Sequence, residues 1–302
     1  MGEVAVVAEH SAISRGTERL VRAGSVPPAV AHQMRAPFQV GDFGRDVKYG
    51  YLSVGVITDL GPVDNGSSRE APSERDAAAR WPLGAQPSQD LHRSRVARVD
   101  NFAVGQRVFC HYPHQDSYVV PRTAITAVPD DVPPARATLA GTVETAINIV
   151  WDARPRWADR VAVVGGGLIG ANVAMLLRRM RLHDLVIVDP DPAIRVLAEQ
   201  LGASWSPPDQ CNVEVDLVIH CSGTQRGLET GLSMLDVEGE LIEASWYGRF
   251  APVVPLGEAF HAKRLTIRAS QVSQVAATHR IRRTRRDRMS LALSELADPL
   301  YD

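Results

Sequence analysis

The clearest chemistry in this sequence sits between Gly165 and Gly170. Gly165, Gly167 and Gly170 have the spacing Gly-X-Gly-X-X-Gly, directly after an apolar run at 160–164 and directly before an apolar stretch of helical character. A strand that turns into a helix through this pattern suits a dinucleotide. Gly165 allows the tight turn, Gly167 lets a pyrophosphate approach the backbone, and Gly170 lets helix and strand pack closely. The free amides of the first helical turn, at Leu168 and Ile169, then face the phosphates. At the end of the next apolar run stands Asp189, where a carboxylate accepts both ribose hydroxyls of NAD and repels the extra phosphate of NADP. The implied chemistry is hydride transfer on NAD, with NADP the poorer fit; a glycine-rich turn without a ligand is the plainer alternative.

Two later strand ends are expected at the same crevice, because ligands in such sheets bind beyond the carboxyl ends of the strands. Ser222 and Gly223 are expected to approach the cofactor, and Trp246 and Tyr247 to lie near the nicotinamide or to pack in the core. Hydride transfer also needs a proton donor or acceptor. His114 is a candidate relay near neutral pH, or else a surface histidine. Cys110, His111 and His114 crowd one strand and loop, but successive strand residues point to opposite faces, so a shared tetrahedral metal site there is disfavoured.

The elements that must position these residues follow from the hydrophobic pattern. Short β-type pieces at 4–7, 51–57 and 107–110 indicate a strand-rich first domain. From about 64 to 99 the chain turns to Asn, Ser, Gly, Pro, Arg, Glu and Ala, which predicts a mobile inserted loop or, around 70–80, a short exposed helix. Apolar residues at helical spacing from Pro133 to Ala153, after a Pro-Pro start, predict a helix bridging two domains. Beyond it, strands at 160–164, 185–188, 216–220, 240–244 and 265–268 alternate with helices to about 181, from about 192 and from about 226. That alternation predicts a doubly wound parallel sheet of the Rossmann type. The expected layout is a first domain at 1–150, a Rossmann domain at 151–275 and a C-terminal helical segment at 276–302.

The 302 residues are long enough for two packed domains, and 45% hydrophobic with 23% charged residues is an ordinary globular composition. A formal charge of -2 gives no global reason to seek nucleic acid. The basic run at 279–288 is read, with Met289, Leu291, Leu293 and Leu296 after it, as an amphipathic helix with a solvated basic face. No apolar run approaches the roughly 20 residues needed to span a bilayer, and the N-terminus lacks a signal-like pattern, which points to a cytoplasmic location without membrane contact. Three widely spaced cysteines build neither a disulfide framework nor a zinc lobe. The expected partner is a small-molecule substrate.

The order of these pieces resembles the medium-chain dehydrogenase/reductase superfamily, the relatives of zinc-type alcohol dehydrogenase. The resemblance is carried by Ser-Ala-Ile-Ser-Arg-Gly-Thr-Glu at 11–18, Tyr-Gly-Tyr-Leu-Ser-Val-Gly-Val-Ile at 49–57, Gly-Gln-Arg-Val-Phe at 105–109, Thr-Val-Glu-Thr-Ala-Ile at 142–147 and the glycine turn. The stretch Ser-Arg-Gly-Thr-Glu-Arg-Leu at 14–20, followed by Pro27 and Pro28, is similar to a subgroup that includes hydroxyethyl bacteriochlorophyllide dehydrogenase. The resemblance implies a GroES-like first domain and an NAD-dependent oxidoreductase. It also implies a possible homodimer through the strand at 265–268. Against the family, the chain begins late and stops at Asp302, so an incomplete first domain is an expectation.

Where zinc members carry their ligands, this sequence has Ser14, Tyr51 and Gly141, none of which replaces a thiolate or imidazole on zinc. Zinc catalysis in the usual site is therefore not expected. By its match to a ligand position, Tyr51 is expected to face the substrate as a hydrogen-bond donor, or to be a core aromatic. Glu144 matches the region that touches the nicotinamide end in the family, as a base, or as a partner of Arg15. The expected function is zinc-independent, NAD-dependent oxidation or reduction of an alcohol/carbonyl pair. The alternatives are a non-catalytic NAD-binding relative and a quinone or enoyl reductase.

Overall fold

The computed structural model describes residues 2–62 and 102–302. The insert expected at about 64–99 lies outside the described residues. The chain forms two compact units, one of Met1–Ala140 with Leu296–Asp302 and one of Gly141–Glu295. The C-terminal stretch, expected as a segment of its own, is thus shared between the two.

In the first unit a five-stranded antiparallel sheet is built from β1 (Glu3–Ser11), β4 (Ser53–Leu60), β5 (Arg107–Cys110), β6 (Ser117–Pro121) and β7 (Ile125–Ala127), in the order β6-β1-β4-β5-β7. A two-stranded ribbon of β2 (Val40–Gly41) and β3 (Val47–Lys48) stands apart, and the short helices are α1 (Thr17–Arg22) and α2 (Pro134–Ala137). Alternation turns Val4 and Val6 inward, where they pack with Ile57, Val108, Cys110, Val120 and Ile125. Two register shifts in β1 against β4 let the strand curl.

The second unit is a six-stranded, wholly parallel sheet. Its strands are β8 (Arg160–Val164), β9 (Asp184–Val188), β10 (Ser204–Ser206), β11 (Val215–His220), β12 (Leu235–Glu243) and β13 (Thr266–Ala269), in the order β10-β9-β8-β11-β12-β13. The strand order reverses between β8 and β11, which makes the doubly wound Rossmann topology and places a crevice at that switch point. Val161 to Val164 are all buried, as a strand covered on both faces requires. The helix expected from Pro133 to Ala153 is interrupted; α3 (Ala140–Ala153) is its longer part, and its Ala146, Ile149 and Ala153 pack on Val161, Val163 and Leu177. The remaining helices are α4 (Leu168–Leu177), α5 (Ile194–Gln200), α6 (Gln225–Met234), α7 (Glu258–Ala262) and α8 (Arg285–Glu295).

α8 departs from the expected solvated basic face at one residue. Met289, Ala292 and Leu293 are buried, but Arg288 is buried with them at 1% exposure, while Leu291 is 41% exposed. Helical spacing explains both, since Arg288 stands one turn before Ala292 and Leu291 is about 100° round the helix from it. Among the described residues no helix is long and apolar enough to cross a membrane.

Candidate functional site

The glycine turn lies where β8 hands over to α4. Gly165 has φ +101, a conformation open to glycine, and donates its N–H to the Val188 carbonyl at 2.8 Å. It also lies against the chain after β11, since a Cβ there would stand 2.7 Å from the Ser222 amide nitrogen. Gly167 is different: a Cβ on it would meet nothing within 4 Å. It caps α4 without a side-chain hydrogen bond, so the first-turn amides that follow are left for water or a ligand. Leu168 is partly exposed on that turn, and Ile169 packs on the apolar cluster beneath it. An uncapped helix start with open space in front of it fits an anionic pyrophosphate.

Asp189 follows β9 and is tied into this turn. Its Oδ2 accepts the Gly166 N–H at 2.7 Å and its Oδ1 accepts the Asp191 N–H at 2.8 Å. A carboxylate has about four lone-pair sites, so two remain for hydroxyl donors.

After β11 the side chain of Ser222 is engaged within the protein. Its Oγ lies 2.6 Å from His220 Nε2 and 3.0 Å from Thr224 Oγ1, and accepts the Thr224 N–H at 3.3 Å. With one hydrogen and two lone pairs, this hydroxyl is saturated by the protein, so only the Ser222 backbone adjoins the glycine turn. Gly223, at φ +65, donates its N–H to Ser245 Oγ at 3.0 Å, and Trp246 is half-buried after β12. His220 itself is wholly buried and pairs through Nδ1 with Glu243 at 2.8 Å. Sequence reasoning missed this pair, although His220 closes a largely apolar strand.

In the first unit Tyr51 and His114 enter one polar cluster. Burial, reinforced by the charge of Glu18 and partly offset by the nearby side chains of Ser14 and Thr17, raises the Tyr51 phenol above the ordinary tyrosine range. His114 Nε2 lies 2.9 Å from Glu18 Oε2, and its Nδ1 is hydrogen-bonded to Ser11 Oγ. Glu18 Oε1 accepts the Ser14 N–H at 2.8 Å, which links the two halves of the cluster. Gly50, at φ +120, makes room, because a Cβ there would stand 2.6 Å from His114 Cδ2. Ser11 and Glu18, both inside the segment at 11–18, were not foreseen as partners of His114.

Glu144 occupies a different environment from that of a general base. It is buried on α3, and its Oε1 accepts from Arg288 Nε at 3.0 Å and Nη2 at 2.9 Å. The same guanidinium is hydrogen-bonded to Asn148 Oδ1 and to the carbonyls of Val272 and Gln274. The partner is thus Arg288 and the setting is a buried ion pair. Among the described residues no group of three or more His, Cys, Asp or Glu is arranged to hold a metal ion. Cys110 belongs to the sheet core, where burial pushes its thiol up and its Sγ donates to the Ala124 carbonyl, while His111 meets the Phe109 ring edge-on.

No protein-family model matches the chain, and no curated protein matches it in sequence. Solved structures do match in fold. 2R,3R-butanediol dehydrogenase from Bacillus subtilis is 16% identical with a TM-score of 0.65, over 98% of this chain and 81% of that one. A short chain alcohol dehydrogenase from Escherichia coli, complexed with NADH, is 15% identical with a TM-score of 0.65, over 99% of this chain and 81% of that one. The quinone oxidoreductase from Thermus thermophilus, also solved with NADPH, is 18% identical with a TM-score of 0.59, over 97% of this chain and 77% of that one. The chain shares its fold, a parallel Rossmann sheet and a separate antiparallel sheet, with these solved dehydrogenases and reductases.

Proposed function

We propose that this protein is an NAD(H)-dependent oxidoreductase acting on an alcohol/carbonyl pair without zinc. The observation that carries the proposal is the glycine turn with Asp189 fixed beside it. Gly167 and the amides of Leu168 and Ile169 would hold the pyrophosphate, and Asp189 would take the ribose hydroxyls and oppose the added phosphate of NADP. When bound, NAD(H) supplies the hydride acceptor or donor.

The remaining work falls to side chains. Zinc does not fit the positions where the family holds it, because Ser14 and Tyr51 offer only hydroxyls, the phenol keeping its proton through burial, and Gly141 offers no side chain. The phenol of Tyr51 keeps its proton at neutral pH, so it can donate a hydrogen bond to a substrate oxygen. His114, held between Ser11 and Glu18, can take or give the accompanying proton. Glu144, with its charge spent on Arg288, is assigned to the framework.

The test is a panel of alcohols, aldehydes, ketones and quinones assayed with NAD(H) and NADP(H). Turnover of an alcohol or carbonyl with NAD(H) is expected. Binding of NAD without turnover of any compound would instead mark a non-catalytic relative, and quinone reduction favouring NADPH would mark a quinone reductase.

A further inference from the structure

His220 is a titratable group buried to zero exposure at the end of an apolar strand, where it costs free energy unless it is paired. Its surroundings are specific. Three donors converge on Glu243: His220 Nδ1 at 2.8 Å, the Ser245 N–H at 2.8 Å and the Tyr247 hydroxyl at 3.1 Å. Because a carboxylate only accepts, Nδ1 carries the hydrogen, and Nε2 accepts from Ser222 Oγ at 2.6 Å. α6 closes over the contact, since a Cβ on Gly227 would stand 2.1 Å from Ser222 Oγ and 2.8 Å from His220 Nε2.

The titratable groups facing the imidazole are few. β12 brings Glu243, and the loop after it brings Tyr247, whose hydroxyl is 3.4 Å from Nδ1. On α6, Arg226 and Glu229 are exposed at the surface. β8 contributes Arg160 only at the opposite strand end, where Asp216 and Asp236 engage it. Cys221, next to His220, keeps its proton because burial raises its thiol, and Arg268 on β13 is engaged by Glu240, so the charge at this end of β11 and β12 is set by one pair.

The position of that pair gives it a ligand to act on. A doubly wound sheet has two mononucleotide-binding halves. Asp189 closes a strand of the β8-β9-β10 half, which leaves the β11-β12-β13 half for the nicotinamide nucleotide. We propose that the Glu243–His220 pair sets the preference of the protein for oxidised over reduced dinucleotide and makes that preference depend on pH. This rests on the reading of the crevice as an NAD(H) site. With the imidazole neutral the pair carries the single negative charge of Glu243, which favours the cationic nicotinamide ring of NAD+ over the uncharged ring of NADH. With the imidazole protonated the pair is neutral and the preference is lost. His220 is a positioning residue here, acting through Glu243 and Ser222.

The experiment is a fluorescence titration of NAD+ and of NADH between about pH 5.5 and 9, on the wild type, His220→Asn and Glu243→Gln, with the His220 imidazole followed by NMR in the wild type. In the wild type the ratio of the NADH Kd to the NAD+ Kd is expected to rise about tenfold with pH, as one charge in a part-buried wall implies. That rise should coincide with the titration of His220. Glu243→Gln should hold the ratio low and flat, because a fully buried imidazole without its counter-charge stays neutral, and His220→Asn should hold it high and flat. If His220→Asn does not fold, the near-isosteric Glu243→Gln and the wild-type titration decide the matter. A ratio flat in the wild type, a rise left intact by Glu243→Gln, or a His220 that does not titrate with the rise overturns this proposal alone. Failure to bind either dinucleotide at every pH overturns the NAD reading and this proposal with it.

Discussion

Gly170 sits so close to Gly165 that a Cβ on it would stand 1.8 Å from the Gly165 carbonyl oxygen. The neighbour is backbone, held in place by the Gly165 hydrogen bond to Val188, so it has nowhere to go. Gly170→Ala is therefore expected to cost about 3 kcal/mol through overpacking. Urea unfolding measures it; a variant as stable as wild type would mean that the turn is looser than described.

The same substitution three residues earlier should separate binding from folding. Gly167→Ala meets no atom within 4 Å, so its stability should stay within about 0.5 kcal/mol of wild type. Its Cβ would occupy the space before the first-turn amides, and the Kd for NAD is expected to rise at least about tenfold. Unchanged affinity would remove the pyrophosphate from this turn.

Asp189 has two duties that one variant can read out together. Asp189→Ser removes the acceptor for the Gly166 and Asp191 amides, at a cost of about 1–3 kcal/mol. It also removes the charge facing an added phosphate. Competition binding should show NAD affinity falling and the NADP/NAD affinity ratio rising by about tenfold or more; a ratio left unchanged would count against Asp189 as the discriminating group.

Glu144 and Arg288 are buried against each other, and the cost of separating them should show it. Glu144→Ala leaves a buried guanidinium without its counter-charge and is expected to lose about 3–5 kcal/mol. The double variant Glu144→Leu with Arg288→Met should recover most of that loss. Thermal melts distinguish this from a catalytic role, in which Glu144→Ala would melt like the wild type yet fail to turn over.

Burial raises the phenols of Tyr49, Tyr51 and Tyr118 above the usual range. Above about pH 10 an unfolded chain releases these protons while the native state retains them, so the unfolded state binds fewer protons. Stability is then fully present below about pH 10 and declines as pH rises further. Ultraviolet titration should show these tyrosines ionising only together with unfolding; ionisation near pH 10 in a chain still folded by circular dichroism would refute their burial.

Much of the second unit was legible because its signals are local. The span of β8 matches the expected strand at 160–164, and the turn that follows is a contiguous run of strand, glycines and helix. β10 escaped notice, since Ser204–Ser206 offers one large apolar side chain in a three-residue edge strand. In the first unit β5 was legible, while β6, β7 and the β2-β3 ribbon were too short or too polar to stand out from turns.

What the sequence by itself determined is the dinucleotide turn, because Gly165, Gly167, Gly170 and the strand before them are neighbours along the chain and act through backbone geometry. The tertiary structure alone decided who partners the charged and polar side chains. Glu18 and His114 are 96 residues apart, Glu144 and Arg288 are 144 apart, and His220 and Glu243 meet across 23 residues because β11 and β12 lie side by side. A buried charge must find a partner, but burial and partner are both properties of packing, which composition and periodicity do not contain.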